Sequence, residues 1–302
     1  MKGDNNMNIM LLVNKEFEYE GYIEGLDFRR INKKESKLIV IPGDKTGGSG
    51  KMVPSCEYML APYHRIKEFC IEYMFKSNEN SSNSEKKYSY LKEVIENYNP
   101  DYIISVSTSE STPNSQGGDS ETHSVNGCVF IGNRFSARDC RDCDPESGSH
   151  LDVPNKFSVS EEIYPGFYKD LSEDSNKKEI EEGMIKVSNM PAKELFVDAN
   201  EKNTSLGVIN VVHYDKYKDA DEKTYEQFKD PTPYNDIPVC LETTHAVVKM
   251  AAGDKPVLFV SPITDRYLKF EDDVKGNQNK ECSYNAGVVV ENLLEFISNK
   301  LI

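Results

Sequence analysis

The chain of 302 residues reads as a single α/β domain, a three-layer fold with a central mixed, twisted sheet surrounded by helices. Two observations carry this expectation. Short continuous apolar runs, the pattern of strands covered on both faces, alternate along the chain with stretches of helical spacing. Polar residues suited to chemistry gather at the ends of those runs, where open α/β sheets bind their ligands. No internal repeat interrupts the pattern.

Met7 to Asn14 (MNIMLLVN) is the first buried strand, and it delivers the acids of Lys15-Glu16-Phe17-Glu18-Tyr19-Glu20 to a strand end. Lys37 to Pro42 is the next strand, followed by the glycine-rich 43–51. The phosphate-binding pattern G-x-x-x-x-G-K-[ST] fails there, because Lys45 stands five residues before Gly50 and Met52 follows Lys51. A flexible loop is the plainer reading. Helical patterns cover Tyr58 to Phe75 and Tyr90 to Tyr98, and the polar Ser77 to Lys87 between them reads as an insertion near 77–87. Asp101 to Thr108 is a strand, and a Ser/Thr-rich insertion follows near 109–124. Ser124 to Asp139 contains a further strand. Residues 140–180 form a polar, acidic insertion with Tyr164, Phe167 and Tyr168, either a surface excursion or a lid. Leu206 to Tyr214 is a strand that ends in Asp215-Lys216-Tyr217. Glu242 opens a helix of about ten residues that Gly253 and Pro256 stop. Pro256 to Ser261 is a buried strand, with Asp265 just beyond its carboxyl end, and residues 284–300 form an amphipathic closing helix.

A net charge of −15 and a pI near 4.9 argue against nucleic-acid polymers and anionic membranes as partners, since both require basic faces. No apolar run approaches the roughly 18 residues of a transmembrane helix. Ile9 to Val13 is too short and too acidically flanked for a signal peptide, so a cytoplasmic protein is expected. Seven scattered cysteines suit reduced thiols better than a disulfide framework. Cys140 and Cys143 form a C-x-x-C with no second pair at metal spacing, so neither metal nor cofactor is expected. His245 lies three residues after Glu242 and could share its helix face, though a core or surface histidine is the simpler reading.

Leu241-Glu242-Thr243-Thr244, followed 23 residues after Glu242 (265 − 242) by Ser261-Pro262-Ile263-Thr264-Asp265, resembles the M-E-x-[AT] … [IV]-S-D signature of the purine nucleoside phosphorylase/uridine phosphorylase superfamily. Within it, the methylthioadenosine/S-adenosylhomocysteine nucleosidases are most similar. An isolated Glu242 would read as a charge placed to suit a helix N-terminus. Type, order and separation together make the match specific. Lesser matches recur along the chain. Gly48 to Met52 resembles the G-x-G-K-V turn that leads into a helix. Asp101 to Thr108 resembles D-x-[IV]-[IV]-N-T-G-[ST], with Ser-Glu-Ser replacing the glycines that follow it. Arg138-Asp139 stands in place of an H-D dipeptide, Asp215-Lys216-Tyr217 resembles D-x-F, and Ser261 replaces a family arginine.

The resemblance implies a purine nucleosidase that cleaves an N-glycosidic bond with water as nucleophile. Asp265 would carry a proton toward N7 of the base, and Glu18 would hold the water, with Glu16 and Glu20 as rivals. Glu242 would accept hydrogen bonds from the ribose hydroxyls beside Leu241, which replaces the usual methionine at little cost in packing. Thr108 would lie near the nucleophile, Gly50 in the glycine turn, and the Tyr217 ring against the base. A phosphate-dependent phosphorylase is the first alternative. The G-D-P-x-x-R type of phosphate motif is absent after the first strand, and the chain has seven arginines, of which Arg134, Arg138 and Arg266 keep phosphate open. A nucleoside-binding regulatory protein with a decayed site is the second alternative. The implied partners are a small-molecule purine nucleoside and a second copy of the chain in a homodimer.

Overall fold

The computed structural model describes residues 7–26, 38–46, 51–60, 64–72, 84–112, 125–139, 156–190, 193–197, 203–209, 240–267 and 269–301. In the first third of the chain, β1 (Asn8–Val13) leads into α1 (Glu16–Gly25). Strands β2 (Leu38–Thr46), β3 (Lys51–Leu60) and β4 (His64–Cys70) follow, and then α2 (Ser84–Tyr98). The middle holds β5 (Tyr102–Val106), β6 (Ser109–Ser111), β7 (Val129–Gly132), β8 (Arg134–Asp139), β9 (Lys156–Val159), α3 (Phe167–Leu171) and α4 (Asp174–Ile180). The chain continues through β10 (Leu195–Val197), β11 (Thr204–Ile209), β12 (Cys240–Glu242), α5 (His245–Ala252), β13 (Val257–Arg266), α6 (Phe270–Asp273) and α7 (Gln278–Leu301).

These strands form one mixed sheet in the order β2-β3-β4-β1-β5-β13-β6-β12-β11-β8-β9, with β7 pairing β13 and β10 off this path. Its centre is parallel, since β1 runs parallel to β4 and β5, and β13 runs parallel to β5. Side chains alternate across each central strand and so divide the core in two. Ile9, Leu11 and Val13 join Ile104, Val106 and Leu258 beneath α1 and α7. Met10 and Leu12 join Ile103 and Phe259 beneath Leu91 and Val94 of α2 and Val247 of α5. The three layers follow from that alternation.

Helices α1 and α7 touch backbone to backbone. A Cβ at Gly21 or Gly25 would strike the carbonyls of Lys280 or Tyr284 on α7, and one at Gly287 would strike the Tyr22 carbonyl on α1. The contact clamps the first helix to the last. Strand β13 changes neighbours along its length: it lies between β5 and antiparallel β7, then beside β6. Its pairing with β6 shifts register between Ile263 and Asp265, leaving Thr264 as the extra residue. Such an irregularity bends a strand and re-aims the side chains that follow.

The structure corrects several sequence expectations. Of the stretch 58–75 expected to be helical, the described residues 58–60 and 64–70 belong instead to β3 and β4, which run as antiparallel partners. Lys51 opens β3, which pairs back onto β2, so Lys51 and Met52 stand in a strand and not at the start of a helix. Ser84 to Lys87 belong to the first turn of α2, and β6 occupies 109–111 inside the sheet. Within 140–180, β9, α3 and α4 are formed, and Phe167 and Leu171 are core residues. Glu242 ends a strand instead of opening a helix, and Asp265 lies within β13 instead of beyond it.

Candidate functional site

Strand ends and one helix start converge on a cavity of about 220 Å³ lined by Glu18, Thr108, Leu241, Glu242 and Asp265. Five residues singled out in the sequence thus share one site. Tyr217 and Gly50 lie outside the described residues.

Glu18 is the third residue of α1, where its carboxylate accepts the Lys15 N–H at 2.8 Å and so satisfies a donor that the helix start leaves open. The other oxygen accepts the Thr108 N–H at 2.8 Å and the Thr108 hydroxyl at 2.6 Å. Thr108 therefore orients the acid across the strand ends. Burial raises the Glu18 pKa, while Thr108 and Lys15 act to lower it. Of the two rivals, Glu16 and Glu20, neither lines the cavity.

Glu242 ends β12, and its side chain folds forward over the start of α5. One oxygen accepts the N–H groups of Thr244 and of His245, the latter at 2.8 Å, and the other accepts the Ser205 hydroxyl at 3.1 Å. Capping α5 fixes the carboxylate without exhausting it, because an ionised carboxylate offers about four acceptor positions. Glu242 is thus both a structural cap and a wall of the cavity. Burial raises its pKa, opposed by those hydrogen bonds and by Lys87.

Asp265 differs from both. Its Oδ1 accepts the Thr264 hydroxyl, and its buried Oδ2 has no hydrogen-bond partner among the described residues. Burial raises its pKa to about 7, with a further push from the Asp273 charge. Near neutrality this carboxyl can hold a proton while facing a cavity. The irregular pairing at Thr264 immediately precedes it.

The remaining lining sharpens the chemistry. Glu110 adds a fourth acid, and Lys15 is the one basic side chain among the described lining residues. Phe17 and Phe270, 45% and 43% exposed, form an apolar rim. None of the three arginines that could have served phosphate lines the cavity. Arg266 is bound through Nε and Nη2 to Asp273, Arg134 lies 5.1 Å over the Phe157 ring, and Arg138 is buried on β8. Among the described residues no group of three or more His, Cys, Asp and Glu side chains gathers as a metal would require.

Two features lie behind the wall: His245, read in the sequence as a core or surface histidine, and one residue that the sequence reasoning missed. His245 is buried and bridges two serines, with Nδ1 2.7 Å from Ser105 Oγ and Nε2 2.7 Å from Ser261 Oγ. Burial, then the Lys87 charge, pushes its pKa down to about 3, so it is neutral. The second feature is Lys87 itself, fully enclosed at the start of α2. Its position among charged and polar neighbours in sequence gave no signal.

No family model matches the chain, and no curated protein matches it. Solved structures share its fold. The 5'-methylthioadenosine/S-adenosyl homocysteine nucleosidase of Campylobacter jejuni aligns with a TM-score of 0.55 at 11% identity, over 97% of this chain and 99% of that one. The native futalosine hydrolase of Helicobacter pylori strain 26695 aligns at 0.55 and 11%, over 96% and 98%. The apo 5'-methylthioadenosine nucleosidase of Arabidopsis thaliana aligns at 0.50 and 13%, over 98% and 94%. The architecture expected from the paired motifs, a mixed sheet wrapped by helices, is the one the chain shares with these structures.

Proposed function

We propose that the protein hydrolyses the N-glycosidic bond of a purine nucleoside of the methylthioadenosine/S-adenosylhomocysteine kind. The observation that carries this reading is the pairing, in one cavity, of a protonatable Asp265 with an unpartnered oxygen and a Glu18 held by four donors. As the bond from the sugar C1′ to N9 breaks, its electron pair moves to the base and positive charge develops on the sugar. Asp265 gives its proton to N7 of the departing purine. Water forms the new bond to C1′ and releases its proton to Glu18, leaving free base and free sugar. Glu242 accepts hydrogen bonds from the sugar hydroxyls. General acid and base steps of this type each contribute about 10²–10⁴-fold.

The acidic lining favours water over phosphate. A phosphate dianion calls for basic, fork-shaped donors, and Arg134, Arg138 and Arg266 do not line the cavity. Two measurements test the reading: free base released from a panel of purine nucleosides in phosphate-free buffer, and the same assay titrated with phosphate. Release without phosphate that disappears in Glu18→Gln is expected. Dependence on phosphate with formation of ribose 1-phosphate would replace hydrolysis by phosphorolysis. Binding without release would favour the regulatory reading, to which the neutral Ser261 in the place of a family arginine also points. A homodimer and a cytoplasmic location accompany the proposal, and light scattering at micromolar concentration checks the first.

A further inference from the structure

Lys87 lies in the first turn of α2 and is 0% exposed. Its Nζ donates to Thr244 Oγ1 at 2.9 Å, to Asn14 Oδ1 at 3.3 Å and to the Thr243 carbonyl at 3.4 Å. Two of these partners lead toward a carboxylate of the cavity. Thr244 gives its own N–H to Glu242. Asn14 donates to Ser107 Oγ at 3.3 Å, and that hydroxyl reaches Glu18 Oε1 at 3.4 Å. Withdrawing an ammonium from water is costly even after relaxation. A helix N-terminus is also the unfavourable end of the macrodipole for a cation. Two opposing terms are therefore met by what Lys87 does for its neighbours.

We propose that Lys87 is a positioning residue for Glu18 and Glu242: from behind the cavity it ties together the segments that present the two carboxylates and supplies the positive charge they share. The proposal rests on the nucleosidase reading for the statement that these carboxylates act on substrate. The charged groups around it are Lys15 and Glu18 at the start of α1, Glu72 after β4, and Glu242 at the end of β12, with neutral His245 beside them on α5. Burial lowers the pKa of the ammonium and Lys15 adds to this, while Glu242, Glu18 and Glu72 push it back up. Without Lys87 both carboxylates would ionise less readily.

Lys87→Met and Lys87→Arg, compared with wild type from pH 5 to 9 in base release and in thermal unfolding, test this. Lys87→Met should lower kcat/KM by about 10²-fold and move the acid limb of its pH profile up by about one unit. Its loss of Tm should grow as pH rises, because the carboxylates then ionise without a countercharge and because the wild-type amine, its pKa lowered by burial, sheds on folding a proton that the unfolded chain keeps. Lys87→Arg should restore the acid limb but not the full kcat, since a flat guanidinium does not fit a site built around a compact ammonium. An unshifted acid limb in Lys87→Met, or a Tm deficit that is the same at every pH, overturns the proposal. Should Lys87→Met fail to fold, Thr244→Val cuts the 2.9 Å bond while keeping the ammonium. A fall in kcat/KM of about tenfold supports the proposal and wild-type kinetics overturn it. If wild type releases no base at all, the proposed reaction fails, whereas a Tm deficit in Lys87→Met that Lys87→Arg repairs still decides the charge role of Lys87.

Discussion

Asp265 serves the proposed reaction at the expense of the fold. Between its ordinary value near 3.8 and the raised value of about 7, the folded chain keeps a proton that the unfolded chain releases. Stability therefore falls as pH climbs through that window, by on the order of a few kcal/mol in all. Asp265→Asn removes the titration, so the variant should be more stable than wild type at pH 8, with the gap closing toward pH 4; Tm measured across that range checks it. The same substitution should lower turnover by about 10²-fold or more and leave substrate binding largely intact, because an amide can hydrogen-bond to N7 but cannot protonate it. Wild-type turnover in this variant would take Asp265 out of the mechanism. At this scale the sequence was readable where a residue sits in its own local pattern. Glu242 and Asp265 each stand next to an apolar run, and their separation is a property of the string. Lys87 has no such signature, since its partners Asn14 and Thr244 lie 73 and 157 positions away.

Elements place these residues as much as motifs do. The Asp265 carboxyl follows the extra residue Thr264 in the β13–β6 pairing. Deleting Thr264 should close the irregularity and remove the hydroxyl that holds the Asp265 carboxyl, so that the acid loses its aim into the cavity. Base release should be lost while circular dichroism stays native; retained release would show that the bulge does not aim the acid. At the α1–α7 contact, Gly25→Ala would drive a methyl into the Tyr284 carbonyl. A loss of about 1–3 kcal/mol is expected from overpacking. Denaturant midpoints read that loss, and a fall in turnover would show that α1 carries Glu18 with it. Strands β3 and β4 were misread as a helix because the apolar spacing between Tyr58 and Phe75 fits either period, although Pro62 in its middle argued against a helix. Bulges and helix crossings are set by partners far along the chain, so local spacing could not show them.

For the molecule as a whole, charge selects what enters. A net charge of −15 and four acids around the cavity oppose anionic substrates. A purine nucleoside 5′-monophosphate should therefore have a kcat/KM lower than its nucleoside by about 10²-fold, with the gap narrowing as added salt screens the longer-range repulsion. Equal turnover of the two would show that a basic subsite compensates. The three-layer architecture was legible because alternation of buried strands and helices is written along the whole chain. The clamp between α1 and α7 has a consequence in time. These helices are roughly 250 residues apart (278 − 25), which at about 5–20 residues per second separates their synthesis by some ten to fifty seconds. During that interval the nascent chain carries the glycine face of α1 with nothing to dock against. A ribosome stalled before residue 278 holds a polypeptide in which Glu18 has been made but not yet placed.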